Sequence, residues 1–307
     1  MTRTVLNPQA AARAAGFDFR PKDSAAFDKE RYAHHWLVDD VLVADQPAVL
    51  GGPKKALKTS LAVDLAVSLA TGTPFLGAFR VPEPVRVAVL SGESGAASLQ
   101  ETARRVCAAK GVNLSGCDIL WQTDLPRLSD PGDRDRLRDG LATAAVRVAV
   151  VDPLYLCLLG GLEKASASNL YEVGPLLRDA ARACLDAGAT PVLVHHATKG
   201  AGQKAGGSGP PELDDLAFAG IGEFARQWLL VNRREPYRPG TGSHALNLAV
   251  GGSAGHSSHW HLDVQETAGT ARGWRVELSA ADQTPTVTLS KRVAGAKPSA
   301  HPALDQY

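Results

Sequence analysis

Residues 52–60 read Gly52-Pro53-Lys54-Lys55-Ala56-Leu57-Lys58-Thr59-Ser60, between the apolar pair Val49-Leu50 and a segment rich in Ala, Leu and Val. A glycine followed at this spacing by a lysine and a hydroxyl residue suits a phosphate-binding loop. There, backbone N–H groups wrap the phosphates, the lysine reaches the β- and γ-phosphates, and the hydroxyl holds magnesium. Leu57 stands where the pattern has a second glycine, at the bend before the helix, where a side chain restricts the backbone or crowds the phosphates. The plainer alternative is a strand-to-helix turn that contains Lys-Thr.

Three other places carry chemistry, each at the end of an apolar run. Asp152 closes a run of valines and alanine about a hundred residues downstream, where a carboxylate can hold magnesium-bound water opposite Thr59. Glu93 follows another run and can act as general base toward an attacking water. His195 and His196 end a third, and alternation along a strand lets at most one of them face a nucleotide. Each has a bland counterpart: Asp as turn former, Glu as solvated loop residue, His as core or supporting residue. His195 and His196 have no companion ligands at zinc spacing, and the cluster His256, His259 and His261 lies in a Ser/Gly-rich hairpin region and reads as chance or exposed surface rather than a metal site.

These groups must be positioned by elements that the pattern also supplies. Strands are expected over 47–50, 85–90, 119–121, 146–151, 191–196 and 228–232, with helices over 59–70, 96–110, 134–144, 169–187 and 216–224. Strands that are apolar on both faces and alternate with helices call for an α/β fold with a mostly parallel central sheet. The alternating segment 245–278 predicts antiparallel edge strands. Residues 1–45 read as an N-terminal arm or cap, 46–290 as one domain, and 291–307 as a disordered tail.

Composition bounds the reading. In 307 residues, 44% hydrophobic and 21% charged content is that of a core-forming protein, and a formal net charge of +1 gives no overall attraction to a polyanion. The four cysteines are scattered without Cys-x-x-Cys pairs, as for thiols in a reducing compartment. No run resembles a signal peptide or approaches the about 18 apolar residues of a membrane helix. The expected location is the cytoplasm, with no membrane partner.

Taken in order, residues 49 to about 235 resemble the RepA-type branch of RecA-like, AAA-family P-loop ATPases, whose best-known members are hexameric plasmid-replication helicases. The resemblance rests on Lys58-Thr59, Glu93, Asp152-Pro153, the run His195-His196-Ala197-Thr198-Lys199-Gly200, and Arg226 within Phe224-Ala225-Arg226-Gln227-Trp228. It implies a RecA-like core that binds ATP and Mg2+, with Lys58 and Glu93 catalytic and His196 sensing the γ-phosphate. Arg226 is implied as an arginine finger that reaches a neighbouring subunit's nucleotide, with Arg233 its rival. Leu57 departs from the pattern, and Lys54 or Lys55 is expected to supply contact that the altered loop loses.

The resemblance further implies a homo-oligomeric, hexameric ring that moves on DNA, with other replication or mobile-element proteins as partners. The segment carrying Lys199 and Lys204 is the candidate single-stranded DNA contact, since six copies would line a channel with about a dozen charges. Alternatives are a Gly-rich linker at that segment and, for the whole chain, an ATP-binding regulatory or assembly module with little hydrolysis. A phosphotransferase is a third reading, but no separate acceptor site is visible.

Overall fold

In a computed structural model, residues 19–159, 170–198, 209–218, 220–267 and 273–281 are described. Lys199, Lys204 and the segment 291–307 lie outside them. The α/β architecture expected from the sequence is present. Six parallel strands, β3 (Ala48–Gly52), β4 (Val87–Ser91), β5 (Ile119–Gln122), β6 (Val148–Asp152), β7 (Thr190–His196) and β8 (Gln227–Arg233), form the body of the sheet. Their spatial order is β8-β3-β7-β6-β4-β5. Antiparallel strands β9 (Ser243–Gly252), β10 (Ser257–Thr267) and β11 (Gly273–Ala280) continue from β8, giving a sheet of nine strands among the described residues.

Alternation sorts the strand side chains to two faces. Ala48, Leu50, Val148, Val150, Val192 and Val194 join one buried cluster with helices α2 (Lys58–Thr71) and α3 (Gly95–Ala109). Val49, Val151 and Leu193 point the other way, onto α5 (Leu154–Leu159) and α6 (Leu170–Asp186). Helix α4 (Pro131–Thr143) covers Ala88, Leu90 and Ala149 on that same side through Leu141. Burial on both faces is why these strands read as continuous apolar runs. Helix α4 starts where Asp130 accepts from the Asp133 N–H with Pro131 in the first turn, and α2 stops at Gly72, whose φ of 75° only glycine adopts freely.

Helix α2 is packed all round, so its polar stripe must be satisfied internally. Asp64 accepts from the Leu76 N–H at 3.0 Å and Trp274 Nε1 at 2.8 Å, and pairs with Lys110 Nζ at 3.0 Å. This ties α2, α3's C-cap and β11 together.

Several elements differ from expectation. In place of a helix over 216–224 there is a 3-10 turn at Leu213–Asp215 and a single turn, α7 (Ile221–Phe224). Phe218 at φ 71° and Gly220 at φ 86° break the helical run, and Leu216 instead bridges to Ala197. Helix α5 starts directly after Pro153, where no helix was expected. The N-terminal part contains α1 (Ser24–Lys29), fully exposed, and a small pair β1 (Trp36–Val38) and β2 (Leu42–Val43) sunk into the main core.

Candidate functional site

Strand order determines which loop ends meet. Gly51 and Gly52 at the end of β3 lie in register with His195 and His196 of β7, while Ser91 of β4 pairs with Asp152 of β6. All four strands are parallel, so the loop after β3, the histidine pair, Asp152 and Glu93 emerge at the same carboxyl edge, where ligands of such sheets bind. A cavity of about 1200 Å³ opens there, bordered by residues 54–60, Glu93, Asp152, Tyr155, both histidines and Arg233.

The loop itself explains the missing glycine. Leu57 occupies the left-handed region at φ 60°, ψ 20°, directly before α2, which is the conformation that a glycine would supply without strain. Its side chain packs on the main core cluster, and that burial offsets a backbone cost on the order of 1–2 kcal/mol. Gly52 is needed for a different reason: a Cβ there would lie 2.5 Å from the Val231 carbonyl oxygen. Lys54 and Lys55 are exposed at the cavity wall.

Lys58 is 8% exposed, and its ammonium donates to the Pro53 carbonyl at 2.8 Å. Burial lowers its pKa to about 8, against the opposing pull of Asp152 and Glu93. A buried ammonium without a close carboxylate partner among the described residues suits an anionic phosphate. Thr59 Oγ1 donates to Asp152 Oδ2 at 2.7 Å, and Asp152 is 4% exposed, with burial raising its pKa. A hydroxyl and a carboxylate oxygen at the cavity floor are hard donors of the type that magnesium takes together with water. The exposed Glu93 lies across the mouth, with Tyr155 Oη 3.5 Å from its Oε1.

The two histidines differ in employment. His195, 1% exposed, donates from Nε2 to the Ala217 carbonyl at 2.9 Å and packs against Phe218. His196 is more open, its ring 5.3 Å from that of Tyr155. Burial holds the His195 pKa down to about 4, against an ordinary 6.5. Between those values the unfolded chain binds the extra proton, so stability present at neutral pH is lost as pH falls from 6.5 to 4, by about 3 kcal/mol in full. Urea unfolding at pH 7 and pH 4.5 should therefore show a smaller acid loss in His195→Gln than in the parent. Equal losses would locate the acid sensitivity elsewhere.

The two arginines fall at opposite ends of β8. Arg233 is in its own chain's cavity, hydrogen-bonded to the Lys55 carbonyl. Arg226 is exposed just before the strand, beside Pro47, roughly 20 Å from the loop at the usual rise for seven strand residues. It is not among the groups gathered at the cavity. Tyr155, Tyr237, His244 and Glu266 are there instead, and no sequence pattern singled them out. Tyr155, three residues past a strand-end carboxylate, was within reach of that rule; the others arrive from β9, β10 and the β8–β9 connection, where spacing carries no signal.

A family model described as AAA domain matches residues 14–202, more than half of the chain. Among curated proteins none matches. No helix among the described residues is long and apolar enough to cross a membrane. Since the matched stretch contains the phosphate loop and its strand-end groups within a sheet of the expected RecA-like form, the chain belongs to the AAA domain family and is a nucleotide-dependent P-loop ATPase.

Proposed function

We propose that the cavity hydrolyses ATP with magnesium, in an oligomer whose neighbouring subunits complete each other's sites, and that the assembly acts as a DNA translocase or remodelling motor. The convergence of Lys58, Thr59, Asp152, Glu93 and His196 on one cavity carries the reading. Lys58 and the loop N–H groups hold the phosphates, while Thr59 and Asp152 would hold the metal, which would supply positive charge to offset that of the transferred phosphoryl group. Glu93 takes the proton of the attacking water as the bond from the γ-phosphorus to the β-phosphate oxygen breaks. His196 reports the presence of the γ-phosphate.

Arg226 is too far from its own loop to serve it, so its role is toward a neighbour; a finger given in trans is worth about 10³-fold or more. Arg226→Ala and Lys58→Ala are each expected to be inactive, and their mixture to regain hydrolysis through mixed interfaces. An Arg226→Ala protein as active as the parent overturns the finger. The DNA role rests on the family resemblance, and stimulation of phosphate release by single-stranded DNA tests it; unstimulated, slow release would favour the assembly-module reading instead.

A further inference from the structure

The phosphate end of the cavity is accounted for by the loop, the carboxylates and His196. Another part of its wall is made of residues beyond the family match. Arg233, tied to the Lys55 carbonyl, lays its guanidinium 5.0 Å from the centre of the Tyr237 ring. Tyr237 is stacked in turn on the imidazole of His244, with centroids 4.8 Å apart and planes at 16°, and remains 39% exposed. His244 itself is 5% exposed, and its Nε2 meets Glu266 Oε1 at 3.0 Å, while the other Glu266 oxygen takes Arg105 Nη1 at 2.8 Å.

That pairing determines the tautomer. A carboxylate can only accept, so Nε2 carries the proton and Nδ1 is a bare acceptor. Burial disfavours the imidazolium, which keeps it bare. Nδ1 is buried without a hydrogen-bond partner among the described residues, and the same holds for Arg233 Nη1. Buried polar atoms are normally satisfied, so unpaired ones in a cavity wall mark where a ligand's polar atoms belong. The flat stacked groups specify the rest of that ligand, since a planar heteroaromatic ring extends such a stack whatever its edge pattern.

We infer that this wall is the nucleoside subsite of the ATPase: Tyr237 and Arg233 stack on the base, and His244 Nδ1 accepts from a ribose hydroxyl or an exocyclic amine. The inference rests on the proposed phosphate site, and Arg233 joins the two through the loop backbone. Sequence spacing alone offers no such assignment, because Tyr237, His244 and Glu266 come from a chain connection and two antiparallel strands.

Equilibrium binding of ATP and of inorganic tripolyphosphate separates the two ends. The parent should bind ATP more tightly than tripolyphosphate by roughly ten- to hundredfold, the usual worth of base stacking. Tyr237→Ala should bring that ratio close to one with tripolyphosphate affinity unchanged, and Tyr237→Phe should preserve it. A ratio near one in the parent, or a Tyr237→Ala protein that keeps the parent ratio, overturns the subsite while leaving the phosphate reading standing. Failure of both ligands to bind the parent overturns the phosphate reading itself, and the subsite with it. Comparing ATP with 2′-deoxy-ATP and with ITP identifies the donor: one of the two should bind several-fold more weakly in the parent and not in His244→Phe. Equal binding of all three by the parent removes the acceptor role.

Discussion

Glu93→Gln is expected to lower kcat for ATP hydrolysis by about 10²–10⁴-fold while leaving the equilibrium affinity for ATP close to that of the parent. Glutamine matches the carboxylate in size and keeps an acceptor for the Tyr155 hydroxyl, but it cannot take a proton from water. Glu93 is exposed at the cavity mouth, one strand away from Asp152, so its removal disturbs neither the loop nor the Thr59–Asp152 contact. A group that acts only as the reaction proceeds lowers kcat and kcat/KM together, which steady-state kinetics beside a binding isotherm would show. Hydrolysis at the parent rate would remove Glu93 as base. A loss of affinity that accounts for the whole effect would make it a binding group instead.

The second large effect is on stability. Asp64→Ala is expected to cost about 3–5 kcal/mol, a large share of the 5–15 kcal/mol typical of a folded domain. Asp64 is completely buried and collects one backbone donor, one indole donor, the Ser68 hydroxyl at 3.5 Å and the Lys110 ammonium. The loss exceeds that of a single hydrogen bond because Lys110, its side chain 9% exposed, is left as a nearly buried charge whose remaining hydrogen bond among the described residues is to the Pro74 carbonyl. Asp64→Ala/Lys110→Met should recover part of the loss, since the stranded charge goes with it. Denaturant unfolding of both variants measures this. A double variant no more stable than the single one would show that the indole and backbone contacts, not the ion pair, carry the effect.

Much of this protein was determined locally. The middle residues of β3, β4, β6, β7 and β8 are uniformly apolar, as in Val192-Leu193-Val194 and Leu229-Leu230-Val231, and short runs of this kind bounded by turn residues suit strands covered on both faces. The loop was legible from Gly52, Lys58 and Thr59 because phosphate binding depends on near-neighbour spacing. Even the odd Leu57 had a local meaning, a bend that must be made with or without glycine.

What local pattern did not contain was order. Glu93, Asp152 and His196 are dispersed along the chain and each had a bland reading. They became one site when β7 and β6 took their places between β3 and β4, which long-range pairing and packing decide. The broken helix at 216–224 and the distance of Arg226 from the loop have the same origin, in a backbone shaped by the strand it must enter. The wall of Arg233, Tyr237, His244 and Glu266 is the extreme case. Its members are held by stacking and ion pairs between a strand end, a connection and two antiparallel strands, contacts that leave no period in the sequence and exist only once the sheet has folded.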